Sequence, residues 1–216
     1  MNEEAPYIGH VNLADKVYNR IRAAILDGAF SDRQRLLCGN IAKKFGVSAT
    51  PVRESLVRLT REGFVCSIPR KGTYVSSLTK KDIQNIYEIR EVLEGLAARM
   101  AARSLNPELL IKMSQACDEY ESAIKENDLN LCISNDLRFH KLLAQASGSQ
   151  RLVEILTNFH LQVISIAKEG TNYWIVAPNY LSEHRSIVEL ISQGNTELAE
   201  ERMKEHIRKG KERIEK

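Results

Sequence analysis

The stretch Val47–Phe64, VSATPVRESLVRLTREGF, followed at once by VCSIPRKGTYVSS (Val65–Ser77), decides how this chain is read. It is a short helix carrying Arg53, Arg58 and Arg61, then two brief strands around a basic turn. A helix of this length needs only one buried face, and Val52, Leu56 and Leu59 supply it at helical spacing. Glu54, Val57, Arg58 and Arg61 point the other way, with Arg53 at the side. Thr50 is placed to cap the helix, with Pro51 at the first helical position, where a missing N–H is harmless. The strands are expected at Phe64–Ser67 and Thr73–Ser76, around the turn Pro69-Arg70-Lys71-Gly72.

Upstream, Leu13, Val17, Ile21, Ala24 and Ile25 predict a helix from Asn12 to Asp27, ended by Gly28. A second short helix covers Cys38 to Phe45 and stops at Gly46. Arginines on an isolated helix usually just solvate it. Three helices in this order with a basic wing reverse that preference and point to a winged helix-turn-helix that contacts DNA.

Composition narrows the class. The chain has 216 residues, 43% hydrophobic and 27% charged, which fits an ordinary globular protein of one or two domains. No apolar run reaches bilayer length, and MNEEAPYIGH lacks the basic-then-apolar order of a secretory signal. Cys38, Cys66, Cys117 and Cys132 form no CxxC pair, so a reduced, cytoplasmic protein is expected, with no membrane partner. Formal net charge is +3, but residues 1–78 hold 12 Lys+Arg against 7 Asp+Glu, whereas residues 79–216 hold 19 against 21. The basic excess therefore sits where phosphate contacts would be wanted.

Beyond Ser77–Leu78 the pattern is helical, over about 79–104, 107–126, 128–147, 149–168, 179–193 and 195–214. Pro107, Gly148, Gly170 and Gly194 supply breaks, and Asn106, Asp128 and Asn195 lie near starts. The expected fold is mainly α: a winged helix-turn-helix over 1–77, then an antiparallel all-helical bundle of about six helices over 78–216.

The helix stripes of that bundle contain ionisable residues. Arg90 falls among Ile83, Ile86, Leu93, Ala97 and Met100; Asp136 and His140 fall among Leu129, Cys132, Phe139 and Leu143. His184 aligns with Leu181, Ile187, Val188 and Ile191, and His206 with Ala199 and Met203. Inward-facing charges must meet each other or a ligand. One carboxylate and three imidazoles suit a divalent transition metal, and Asp136 and His140, four apart, project toward one point. Each feature has a plainer reading: His160 also falls on an apolar stripe, with Leu152, Leu156 and Val163, and Arg90 could pair with Glu94. His10 carries no argument.

The motifs AILDGAF, IAKKFGVSATPVRESLVRLTREGF and PRKGTYVS in the first part, with IYEIREVLEGLAARMAA, NDLRFHKLLAQASGSQRL, EHRSIVELISQGN and AEERMKEHI in the second, resemble one family. The sequence is similar to the GntR superfamily of bacterial transcription regulators, in the FadR branch with an all-helical FCD ligand-binding domain. Six helices resemble its smaller, vanillate-regulator subgroup. The resemblance implies a homodimer on a short palindromic double-stranded operator, released or recruited by a small molecule. It implies metal ligands at Asp136, His140, His184 and His206, the same set the stripes select. Arg90 matches an arginine that in relatives faces the pocket and holds a carboxylate effector. Ser48, Thr50 and Arg53 match positions that touch DNA, and Lys71-Gly72 matches the wing tip; Arg58 and Arg70 join them as exposed cations of the same helix and turn. Three departures stand out: Ala49 replaces a usual arginine, and the usual glutamate and glycine are missing near Cys38 and Arg33. Losing an arginine able to grip guanine removes about 1–3 kcal/mol of base discrimination, so the operator is expected to diverge.

The expected function is a DNA-binding repressor that holds a divalent metal, zinc first with nickel or manganese as alternatives, and a small organic acid. Two rivals remain: a regulator whose metal is the signal or purely structural, and a helical-bundle metalloenzyme. The enzyme is disfavoured because no Glu-x-x-His pair and no obvious extra acid or base accompany the site, and an enzyme needs no wing.

Overall fold

A computed structural model describes residues 13–169 and 173–215, which form two compact units divided between Ser77 and Leu78. The first unit holds α1 (Leu13–Leu26), α2 (Cys38–Phe45), α3 (Ala49–Arg61), β1 (Val65–Ile68) and β2 (Gly72–Val75). Val17, Tyr18 and Ile21 of α1 pack with Val52, Leu56 and Leu59 of α3 in a small core, closed by Phe64, Val65 and Val75. Gly46 ends α2 in the left-handed conformation that its missing Cβ allows at φ 68°, turning the chain into α3.

Two details differ from the sequence expectation. The N-cap of α3 is Ser48, with extended backbone, and Pro51 lies in the third helical position. Proline is tolerated there because the first four N–H groups of a helix have no intrahelical acceptor anyway. The strands shift by one residue: Ile68 pairs with Gly72 and Val65 with Val75, leaving Pro69, Arg70 and Lys71 as the turn. The segment 33–36 lies along β2, with Leu36 N–H donating to Thr73 O at 2.8 Å and Val75 N–H to Gln34 O at 2.9 Å. The wing is thereby braced along its second edge.

The second unit is a helical bundle: α4 (Lys80–Ser104), α5 (Pro107–Glu126), α6 (Leu129–Ala146), α7 (Gln150–Glu169), α8 (Tyr173–Ser192) and α9 (Thr196–Glu215). Thr79 and Asp82 form a reciprocal capping box on α4, and Asn106 and Asp128 cap α5 and α6 through their side chains. Helix α4 packs against α9, and α5 against α6, over a core that includes Met113, Tyr120, Phe139, Leu143, Leu156, Ile187 and Met203. Helix α8 starts at Tyr173, not near residue 179, and runs through Pro178. Ala177 and Leu181 on either side of the proline are buried, so packing holds the helix through a residue that costs an interior position about 3 kcal/mol. The expected start of α1 at Asn12, the break at Gly170 and His10 lie outside the described residues. No described helix is long and apolar enough to cross a membrane.

Candidate metal centre and DNA-reading surface

The bundle interior is polar at its centre. Arg90, Glu94, His140, His160, His184 and His206 are all buried among apolar side chains. They come from α4, α6, α7, α8 and α9, each at a position where the helix turns one residue of its apolar stripe toward a shared point. His206 Nε2 lies 3.2 Å from His184 Nε2 and 3.4 Å from His140 Nε2. Asp136 reaches the same place, with Oδ1 3.7 Å from His184 Nε2 and Oδ2 3.9 Å from His140 Nε2. Its side chain is 32% exposed, so Asp136 forms the more open side of the cluster that the inward stripes select.

The hydrogen bonds fix which ring nitrogens carry protons. His206 Nδ1 donates to Glu183 Oε2 at 2.8 Å, and His140 Nδ1 donates to Glu94 Oε2. In the neutral rings this leaves bare Nε2 lone pairs on both histidines, facing each other. Lone pairs at that distance repel unless a cation lies between them. Metal–nitrogen bonds of about 2.0–2.1 Å put two tetrahedral ligands about 3.4 Å apart, so the donor set fits a divalent ion. His184 is held differently, stacked on Phe139 with ring centroids 3.9 Å apart and Tyr120 against its edge.

The electrostatics agree. Burial pushes the His184 imidazole well below its ordinary pKa, reinforced by His206 and His140, and burial likewise lowers His206 and His160. Rings that resist protonation keep their lone pairs for a metal. Burial works against the Glu94 anion, but His140, Arg90 and His160 outweigh it and hold the carboxyl well below the usual range. Glu183 is likewise raised by burial and brought down, by hydrogen bonds from His206 and Arg213, to about 2.

Two residues at this site were missed as participants. Glu94 is fully buried and accepts from Arg90 Nε at 2.8 Å, His160 Nε2 at 3.1 Å and His140 Nδ1. Its sequence signal was the four-residue spacing from Arg90, read only as a plainer alternative. Glu183 had no signal, since its partners His206 and Arg213 lie one helix away. Both correct the expectation that no further acid or base accompanies the site. Each is ionised and engaged by an arginine, so neither is a proton donor in waiting. His160 joins the network through Glu94, and Arg90 spends its Nε on Glu94 while stacking over Tyr87 at 5.0 Å.

On the first unit, Ser48, Thr50, Arg53, Arg70 and Lys71 are exposed, with Thr50 and Arg53 on one open stretch of α3. Arg58 is exposed too, but its guanidinium binds Asp15 at 3.2 Å and Glu62 at 3.1 Å and lies 3.8 Å over the Tyr18 ring. It is tied to α1 more than offered to a partner. At the wing tip Arg70 takes φ 62°, and Gly72, at φ 119°, lies under Arg35, whose Nε would sit 3.1 Å from a Cβ there. The positive φ is what calls for glycine here, and Arg35 leaves little room above it.

Comparison with known proteins identifies the class. The model for bacterial regulatory proteins of the gntR family matches residues 13–75, and that for the FCD domain matches residues 85–209. The uncharacterized HTH-type transcriptional regulator YdhC of Bacillus subtilis (strain 168) is 32% identical over 88% of this chain and 85% of its own. The HTH-type transcriptional regulator McbR of Escherichia coli (strain K12) is 28% identical over 81% and 78%. The solved structure of E. coli McbR/YncC shares the fold, with TM-score 0.81 at 21% identity over 95% of this chain and 98% of that one. The chain belongs to the GntR family of bacterial transcriptional regulators, with a winged helix-turn-helix and an FCD domain. Regulators of this family bind operator DNA and are typically dimeric, and its members here are regulators, not enzymes.

Proposed function

We propose that this protein is a cytoplasmic, homodimeric repressor whose helical unit holds a divalent metal and senses a small organic acid. Supporting the metal is one observation above all: three histidine Nε2 atoms and the Asp136 carboxylate face a common point, with two of the rings fixed as lone-pair donors. Asp136, His140, His184 and His206 would hold the ion. Three nitrogens and one oxygen suit zinc first, and nickel or manganese also tolerate the set.

When bound, the ion supplies Lewis acidity and positive charge. The charge matters because the network around it sets the guanidiniums of Arg90 and Arg213 against the carboxylates of Glu94, Glu183 and Asp136. With neutral imidazoles that is a net charge of −1 when metal-free and +1 with a divalent ion, so only the loaded site attracts a monoanion. Half-buried Asp136 leaves that side the most accessible to a ligand. Arg90 lies in the network as the second cation for an acid, although its pairing with Glu94 favours the alternative that the metal is structural or itself the signal.

On DNA, Ser48, Thr50 and Arg53 would meet the major groove. Arg70, Lys71 and Gly72 would follow the backbone at the wing, with Arg58 in a supporting part. Two protomers would read half-sites of a palindrome about one helical turn apart. Effector binding would bias the bundle helices, and the linker at Ser77–Leu78 would pass that bias to the reading heads.

The test is a thermal-shift screen of small carboxylic acids on metal-loaded and chelator-stripped protein. A ligand at 100 times its Kd adds about 2.7 kcal/mol, a visible rise. Stabilisation by an acid only in the loaded sample is expected. Stabilisation by metal alone supports the structural or signalling metal and removes the effector role of Arg90. No response to metal overturns the reading.

A further inference from the structure

Two parallel chains of side chains run into the histidine cluster. In one, Arg90 Nε donates to Glu94 Oε1 at 2.8 Å and Glu94 Oε2 accepts from His140 Nδ1. In the other, Arg213 Nη2 donates to Glu183 Oε1 at 2.7 Å and Nη1 to Oε2 at 3.1 Å, while Glu183 Oε2 accepts from His206 Nδ1. Each is guanidinium, carboxylate, imidazole, and each leaves an Nε2 lone pair facing the same point. The first draws on α4 and α6, the second on α8 and α9.

We propose that Glu94 and Glu183 are positioning residues of the metal centre, each fixing the tautomer and ring orientation of one ligand histidine, with Arg90 and Arg213 as their anchors. This rests on the metal reading above. The Arg90–Glu94 pair lies within α4 and joins no two helices by itself, and the Glu183–Arg213 pair already joins α8 to α9 without an imidazole. Here both carboxylates continue to a ligand ring and meet it at Nδ1, the nitrogen whose proton must be placed if Nε2 is to stay bare; Glu94 is steadied further by His160 Nε2 at 3.1 Å on its other oxygen. An anion at Nδ1–H also makes the opposite nitrogen a stronger donor. The third histidine is held differently: stacking on Phe139 and the edge of Tyr120 set its plane. Glu183 stands beside His184 in the chain yet serves His206, so the helix that contributes one ligand orients another. Tyr180, whose ring lies 4.5 Å from the Arg213 guanidinium and 5.8 Å from the His206 ring, packs along the second chain and keeps it aligned.

The experiment titrates full-length, chelator-stripped protein with Co2+, reading the cobalt absorption bands, and repeats it with Zn2+ against a chromophoric chelator. Glu183→Gln keeps the shape but removes the charge. The expected result is about a 10–100-fold weaker affinity for both ions. The band positions stay unchanged because the four ligands remain, and circular dichroism shows the metal-free fold intact. Arg213→Gln leaves Glu183 in place and loosens its anchor, so a smaller loss in the same direction is expected; it carries the test should Glu183→Gln fail to fold. A variant that folds and binds Co2+ as tightly as wild type overturns the inference while leaving the metal reading standing. Wild-type protein that binds neither ion overturns both.

Discussion

Glu94 has no exposed surface and three partners: the guanidinium of Arg90 and the rings of His140 and His160. Removing one member of such a set strands the others in a low-dielectric interior. Glu94→Ala is therefore expected to lower unfolding stability by about 3–5 kcal/mol in denaturant titration, chiefly through the uncompensated charge of Arg90. The two arginines of α3 separate in the same way. Arg53 is exposed, and Arg53→Ala is expected to weaken operator binding by about 1–3 kcal/mol in a fluorescence-anisotropy titration. Arg58 is engaged with Asp15, Glu62 and Tyr18, so Arg58→Ala should affect DNA less than Arg53→Ala does. At this scale Asp136 and His140 were legible because a four-residue spacing on one helix fixes their common direction. Glu183 was not, because its partners lie 23 and 30 residues away and only the packing of α8 on α9 brings them together.

Helix α4 carries Arg90 and Glu94, and its first turn follows directly on the boundary between the two units. The turn is held by the Thr79–Asp82 box, in which Asp82 N–H donates to Thr79 Oγ1 at 3.2 Å and Thr79 N–H to Asp82 Oδ2 at 2.9 Å. Thr79→Ala is expected to cost about 1 kcal/mol of bundle stability in denaturant titration. Hydrogen bonds from the Thr79 hydroxyl and N–H hold the Asp82 carboxyl below its ordinary pKa. With the folded value depressed, the box contributes fully above the ordinary aspartate pKa and is lost as pH falls through the folded one. Amide exchange in the first turn of α4 should accelerate, relative to its intrinsic rate, only in that acid range. Element types were legible throughout from apolar periods of 3.6 and 2 with their glycine and cap signals. The misplaced boundaries have local causes. Ser48 and Thr50 are both acceptable caps two residues apart, and a proline at residue 178 looks like a stop unless the burial of Ala177 is known.

For the molecule as a whole, if the bundle holds a metal as proposed, a chelator is expected to lower the melting temperature, and added ion to raise it with the logarithm of free ion concentration. If an acid weakens operator binding by some factor, operator DNA must weaken acid binding by the same factor, and calorimetry with and without a DNA duplex checks this. Two-part organisation was readable because basic charge and helix-plus-wing punctuation end together near Ser77. The polar centre was half readable: stripes show which residues turn inward, but not which inward residues meet.

The paired arginines and carboxylates also constrain how this sequence can drift. Total stability of a domain is about 5–15 kcal/mol, and losing one member of a buried pair removes about 3–5 of it. A lone change at 90 or 94 would consume much of that margin, and because Glu94 also holds His140 and His160, a replacement of the pair must be answered at those rings too. The surface ion pairs of α5, such as Glu108 with Lys112, carry no such tie and are free to wander independently.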